Sequence, residues 1–152
     1  EIIQGNVTFT EARNWYVAAD PPVVSEDDAM IVYRSNTGTN LLSSPKIRAW
    51  ESSGNGNWKA EVELESAGST ITNMTLKYSP FENRIVVVTR GIDANLDAYV
   101  CDGNCTVASN WTREDNIAAV NTAATGQFDI DFETSTGDAI LVYNILKHQS
   151  YH

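Results

Sequence analysis

Short runs of β-branched and aromatic residues recur along this chain, each bounded by Gly, Asn, Asp, Ser or Pro. That is the pattern of strands separated by turns. The runs are MIVYR, PKIRAW, NWKAEVEL, NMTLKYS, RIVVVTR, LDAYVC, CTVASNW, QFDIDFE and AILVYN. Several alternate. In FDIDFE, Phe128, Ile130 and Phe132 fall on one side of a strand and Asp129, Asp131 and Glu133 on the other; Met74, Leu76 and Tyr78 do the same in MTLKY. IVVV and AILVY are apolar without a break, which predicts strands covered on both faces. Two stretches compete as helices. TREDNIAAVN offers Thr112 as an N-cap with Asp115 three residues later, a capping-box spacing. TEARNWYVAAD reads as a turn or two of helix or as an irregular strand.

Three segments echo one another. DAMIVYR begins at Asp28, NRIVVVT at Asn83 and DAILVYN at Asp138, a spacing of 55 residues each time. Each follows a turn: SEDD, SPFEN or STGD. Two of the echoes continue alike: Trp50 or Tyr99, an acidic Gly-bearing turn, then Trp58 or Trp111. The unit is strand, turn, apolar strand, loop, aromatic strand, Gly turn, Trp-bearing strand: a four-stranded antiparallel meander of a length usual for β-repeats. The expected fold is all-β, with about two and a half such units of period 55, propeller-like or packed as a β-sandwich. The expected organisation is an N-terminal segment over 1–27 serving as an edge or exchanged strand, a repeat-built domain over 28–144 and a tail over 145–152. Met30, Val32, Ile85, Val87, Ile140 and Val142 are expected to share one buried system.

A meander with a Trp, a Gly turn and a second Trp resembles one blade of a β-propeller. It is similar to the blade-type repeats of secreted and surface proteins of bacteria and archaea. The resemblance spans residues 28–144. It implies a fold and a surface location, and it transfers no functional residue. The Asp-box of sialidase-type blades is not matched, because SSGNGNW lacks the Asp and has another spacing. A closed propeller usually has at least four blades, so a unit count this low leaves sheet edges open to other chains.

The chain has 152 residues, 42% of them hydrophobic, enough for one domain with a real core. With 20 acidic against 10 basic residues the net charge is −10. Such a field repels phosphate backbones and anionic lipid, so nucleic acid is not an expected partner. No apolar run approaches the roughly 20 residues of a membrane span. The start at Glu1, without Met or a basic-then-apolar leader, points to a processed or excised chain.

Cys101 and Cys105 lie in CDGNC. Asp-Gly between them suits a tight hairpin that brings two Cα atoms into disulfide range, and a disulfide places the protein in an oxidising compartment. The rival reading, a metal pair, lacks ligands: the two histidines are His148 and His152, in the tail. Asn6, Asn73, Asn104 and Asn110 head N-x-Ser/Thr sequons and are candidate glycosylation sites.

No nucleophile–base pair, phosphate loop or haem motif stands out, so the expectation is a non-enzymatic protein without a cofactor. Asp129, Asp131 and Glu133 sit on one strand face, where a glycosidase needs two carboxyls across a cleft; a solvated face is the simpler reading. Asp93, Asn95 and Asp97 in GIDANLD are hard-oxygen candidates for Ca²⁺, without the Gly and distal Glu of an EF-hand. Trp15, Trp50, Trp58 and Trp111, with Tyr33, Tyr99 and Tyr143, are core candidates by default. Trp58 and Trp111, beside polar turns, are the candidates for sugar stacking. The expected role is structural: an extracellular or cell-surface subunit of a filament-like, pilus-like assembly, partnered by its own copies or other surface subunits. The alternative is a carbohydrate- or surface-binding module of an adhesin.

Overall fold

The computed structural model describes residues 15–18, as a strand path, and 29–34, 43–51, 56–120 and 128–144. The described residues form antiparallel sheets, with no closed barrel and one 3-10 turn at Ala108–Asn110. In the first sheet, β1 (Trp15–Ala18), β2 (Ala29–Arg34) and β3 (Pro45–Glu51) are neighbours in that order. The position beyond β3 is filled by two short pieces, β4 (Asn57–Trp58) and β5 (Val62–Glu63), both paired with β3. The second sheet is a four-stranded meander of β6 (Ile71–Tyr78), β7 (Arg84–Gly91), β8 (Asn95–Asp102) and β9 (Trp111–Ala119). The third is the hairpin of β10 (Phe128–Phe132) and β11 (Ala139–Tyr143).

The period-2 pattern decides how the sheets stack. Met30, Val32, Ile47 and Ala49 on one face of the first sheet join Met74, Leu76, Ile85, Val87 and Tyr99 of the second in one core. The opposite face of the second sheet, Val86, Val88, Leu96 and Ala98, meets Phe128, Ile130 and Phe132 of the hairpin in a second core. The unbroken IVVV run therefore lies between two layers, as its composition predicts. Burying an aliphatic side chain of this size contributes roughly 1.5–3 kcal/mol, and Val87 and Val88 are both fully buried.

The three echoed segments lie on β2, β7 and β11, in each case the second strand along its sheet. Two expectations are corrected. The helix candidate over TREDNIAAVN is strand β9, laddered against β8 from Trp111 to Ala119; its four-residue apolar stretch Ile117–Val120 is too short to bury a helical face, whereas β8 offers a ready edge. Ile140 and Val142 are not buried with Met30, Val32, Ile85 and Val87. They are 50% and 65% exposed, because the hairpin has a layer on one side only among the described residues. Within the 1–27 segment, Trp15–Ala18 is an edge strand on β2. Residues 1–14 and the tail from 145 lie outside the described residues.

Candidate assembly surface

The hairpin is built by alternation on β10 and continuity on β11. Phe128, Ile130 and Phe132 point into the second core, so Asp129 and Asp131 must point out. Each carboxylate accepts the next residue's amide: Ile130 N–H donates to Asp129 Oδ1 at 2.9 Å and Phe132 N–H to Asp131 Oδ1 at 2.9 Å. Directly across the ladder, Asp129 faces Val142 and Asp131 faces Ile140. The outer surface thus pairs two carboxylates with two exposed aliphatic side chains.

Glu133 fixes the connecting turn. Its carboxylate accepts from the Ser135 hydroxyl at 2.6 Å and from the Thr136 amide at 2.5 Å. The bonds from Ser135 and Thr136 hold its carboxyl down at about 2. Gly137 adopts φ 78° and its amide donates to the Glu133 carbonyl at 2.9 Å, which a residue with a Cβ would resist.

The outward edges of the three sheets differ. In the first sheet the edge is broken between β4 and β5. In the second, β9 carries Arg113, Glu114 and Asp115, a register shift opposite Leu96–Ala98, and Asn116 at φ 52°. Charges, bulges and short strands are the usual devices that discourage edge pairing. β11, five residues long, lacks the charges and bulges: AILVY carries no charge, no Pro and no register shift. Ala139, Ile140, Val142 and Tyr143 are all exposed.

The other candidate residues fall elsewhere. Cys101 and Cys105 form a disulfide with Cα atoms 5.7 Å apart, both buried. They are not facing positions of the hairpin: Cys101 pairs across the ladder with Trp111, and Cys105 lies in the β8–β9 connection. Trp111 donates its indole N–H to the Cys105 carbonyl at 3.0 Å and packs on the first core. Trp58 meets Trp50 edge to face, ring centroids 5.3 Å apart. Both sugar-stacking candidates are therefore half-buried and engaged. Asn104 and Asn110 are exposed, and Asn110 donates its amide to the Asn104 carbonyl at 2.8 Å. Asn73 is half-buried in β6, accepting the Met74 amide; Asn6 lies outside the described residues.

Of the Ca²⁺ candidates, Asp93 binds the Asn95 amide groups. Asp97 is buried and takes its bonds from Arg113 and the Asn116 amide. The two carboxylates are thus committed to different partners. No group of three or more His, Cys, Asp or Glu suited to a metal occurs among the described residues. A polar cluster that the sequence does not announce joins Tyr33, Lys46 and Glu61. The Tyr33 hydroxyl donates to Glu61, and Lys46 Nζ lies 2.8 Å from the same carboxylate. Burial raises the Tyr33 hydroxyl well above its ordinary range, with the Glu61 bond adding to it. Burial pushes Glu61 up, but the bonds from Lys46 and Tyr33 outweigh it and leave the carboxyl below its usual value. These groups satisfy one another and leave no activated nucleophile. Among the described residues no helix is long and apolar enough to cross a membrane.

No protein-family model, curated protein or solved structure matches the chain.

Proposed function

We propose that this chain is a non-enzymatic structural subunit of an extracellular or cell-surface assembly, built from repeated antiparallel sheet units and joined to its neighbours through the β10–β11 hairpin. The observation that carries the reading is the exposure of Ile140 and Val142. The cross-strand rows support a repeat. Ala29, Trp50 and Trp58 form one row, and Ile85, Cys101 and Trp111 form another. Tyr78 faces Ile85 across the β6–β7 turn as Phe132 faces Ala139 across the β10–β11 turn. Aligned by these rows, Ala29, Ile85 and Ala139 correspond, with offsets of 56 and 54 residues where the echo of the apolar runs has 55.

In that alignment Met30 and Val32 correspond to Val86 and Val88, and then to Ile140 and Val142. The first pair is covered by the second sheet and the second pair by the hairpin. The third pair stands open on a chain of net charge −10. Exposed apolar groups that stand together mark contact sites, and Ile140 and Val142 share one strand face, whereas the exposed Phe81 and Ile92 lie singly in separate turns. The buried disulfide suits an oxidising compartment and supports the extracellular part of the reading. The carbohydrate-binding alternative ranks second, because Trp58 is packed edge to face on Trp50 and Trp111 donates its indole N–H to the Cys105 carbonyl.

Light scattering and electron microscopy of the native protein test the reading. Rings, fibres or discrete oligomers are expected at micromolar concentration. A monodisperse monomer across a concentration series, in the disulfide-bonded form, would remove it.

A further inference from the structure

Three of the N-x-Ser/Thr sequons, at Asn73, Asn104 and Asn110, fall among the described residues, and their surroundings differ. We propose, resting on the extracellular part of the reading above but not on assembly, that Asn104 carries an N-linked glycan on the turn closed by the Cys101–Cys105 bridge, while Asn73 and Asn110 stay bare.

Three observations lead here. The first is the state of the three side chains. An acceptor asparagine must offer its Nδ2 and afterwards hold a bulky, solvated group outside the fold. Asn73 is half-buried in β6, and the middle residue of its sequon, Met74, is locked in the first core. Asn110 is exposed, but its Nδ2 already donates to the Asn104 carbonyl at 2.8 Å. The hydroxyl of its sequon threonine, Thr112, donates to the Val100 carbonyl at 3.3 Å, so this sequon is tied into the β8–β9 ladder. Asn104 is exposed, and its Nδ2 donates to no described residue.

The second is the geometry inside the Asn104 sequon. Oδ1 of Asn104 accepts the Thr106 amide at 3.1 Å and the Thr106 hydroxyl at 2.7 Å. The turn is thus closed through the carboxamide oxygen alone. A sugar on the nitrogen takes no hydrogen bond away from it.

The third is the base on which Asn104 stands. Cys105, the middle residue of the sequon, is buried and bridged to Cys101. On the other side, the Gly103 amide donates to the Asn83 carbonyl at 2.7 Å. The backbone is therefore held on both flanks of Asn104. The space beside it is open: a Cβ added at Gly103 would meet nothing within 4 Å. The bridge forms in an oxidising compartment, and a surface sequon of a secreted chain is an acceptor there.

The step joins Asn104 Nδ2 to the anomeric carbon of an oligosaccharide supplied on a lipid phosphate. The bond from that carbon to the phosphate oxygen breaks, the phosphate leaves with the electron pair, and the amide proton passes to a base of the transferase.

The test is glycopeptide mass mapping, without reduction, of the full chain produced by its own cells, beside Thr106→Ala and Thr106→Ser chains made in the same cells. The expected result is a disulfide-bonded chain with a glycan on the Asn104 peptide and none on the Asn73 and Asn110 peptides. Thr106→Ala should lose that glycan completely, and Thr106→Ser, which restores the sequon, should keep it. A disulfide-bonded chain with Asn104 bare, or with a glycan on Asn73 or Asn110, would overturn the inference and leave the extracellular reading standing. Free thiols at Cys101 and Cys105 with Asn104 bare would remove both.

Discussion

Arg113 on β9 places Nη2 3.2 Å from Oδ1 of Asp97 on β8, and the Asp97 side chain is only 4% exposed. The same Asp97 oxygen accepts the Asn116 amide at 3.0 Å, where the backbone takes φ 52°. One buried carboxylate thus pairs with the arginine and holds the irregular stretch of β9. Breaking a buried pair by removing one partner costs more than the pair contributes, because the other charge stays behind.

Asp97→Ala should therefore destabilise the protein by about 3 kcal/mol, at the low end of the range for buried pairs, since Arg113 keeps its contact with Glu65 at 3.2 Å. Asp97→Asn should cost less, because a side-chain oxygen remains for the Asn116 amide. Chemical denaturation of both variants, with amide exchange at Asn116, checks the order. Equal stability of wild type and Asp97→Ala would show that the pair contributes nothing.

Reduction should be felt at Trp111. The Cys101–Cys105 bridge spans a sequence separation of 4, and loop-closure arguments give about 2 kcal/mol for so short a loop. That corresponds to a drop of ~5 °C in Tm for a chain of this size. Because Trp111 donates to the Cys105 carbonyl, its fluorescence should shift on reduction before global unfolding. Calorimetry and emission spectra with and without a phosphine reductant measure both effects.

The all-β class and the place of most strands were legible because period 2 shows directly in FDIDF and MTLKY. The exposure of β11 was not, because AILVY alone reads the same whether one face or two is covered. The information lay on the partner strand: Asp129 and Asp131 sit across from Val142 and Ile140, and a face holding two unpaired carboxylates is costly to bury. Strand β9 was obscured by its charged run, whose helical capping signal is local while its ladder to β8 is not. Asp97 reads as a calcium candidate because its neighbours in sequence are oxygens. Its actual partner, Arg113, is 16 residues away. The polar cluster of Tyr33, Lys46 and Glu61 likewise depends on the β2–β3 pairing and on Glu61, 28 and 15 residues from its two partners, returning beside them.

Glu133 should titrate far below an ordinary glutamate. Its folded carboxyl lies at about 2, against an ordinary value of 4.5. A depressed carboxyl contributes stability that is fully present above about 4.5 and is lost as pH falls towards 2. Glu133→Gln should flatten that limb of the stability–pH curve without changing stability's slope near neutrality. Carbon-detected NMR of the Glu133 carboxyl gives the midpoint; a value near 4.5 would mean the turn bonds do not persist in solution.

Gly56 supports the aromatic pair. It adopts φ 67°, and a Cβ there would lie 2.5 Å from Cζ2 of Trp50, whose ring meets Trp58 edge to face. Gly56→Ala should cost about 1–3 kcal/mol through overpacking, with additional strain from the positive φ. Trp50→Leu should relieve the clash, so the double variant should recover part of the loss. A double-mutant cycle by urea denaturation reads the coupling, and strictly additive losses would deny the contact.

Val87 and Val142 lie on the second strands of adjacent sheets and are both Val, yet one is fully buried and the other 65% exposed. The same substitution should therefore have opposite consequences. Val87→Asp places a carboxylate among Met74, Leu76, Ile85 and Tyr99. An unpaired buried charge costs several kcal/mol, comparable with a total stability of roughly 5–15 kcal/mol, so this variant should be unfolded or insoluble. Val142→Asp adds a third carboxylate to a face that already holds Asp129 and Asp131, and its stability should change by no more than about 0.5 kcal/mol. On the proposed function it should nonetheless weaken assembly at least tenfold, because the aliphatic contact is lost and the acidic face repels. Circular dichroism separates the folding effects and light scattering the assembly effect. A folded, cooperative Val87→Asp chain would disprove the packing of β7 between two layers. A Val142→Asp chain that assembles like wild type would take the hairpin's outer face out of the contact.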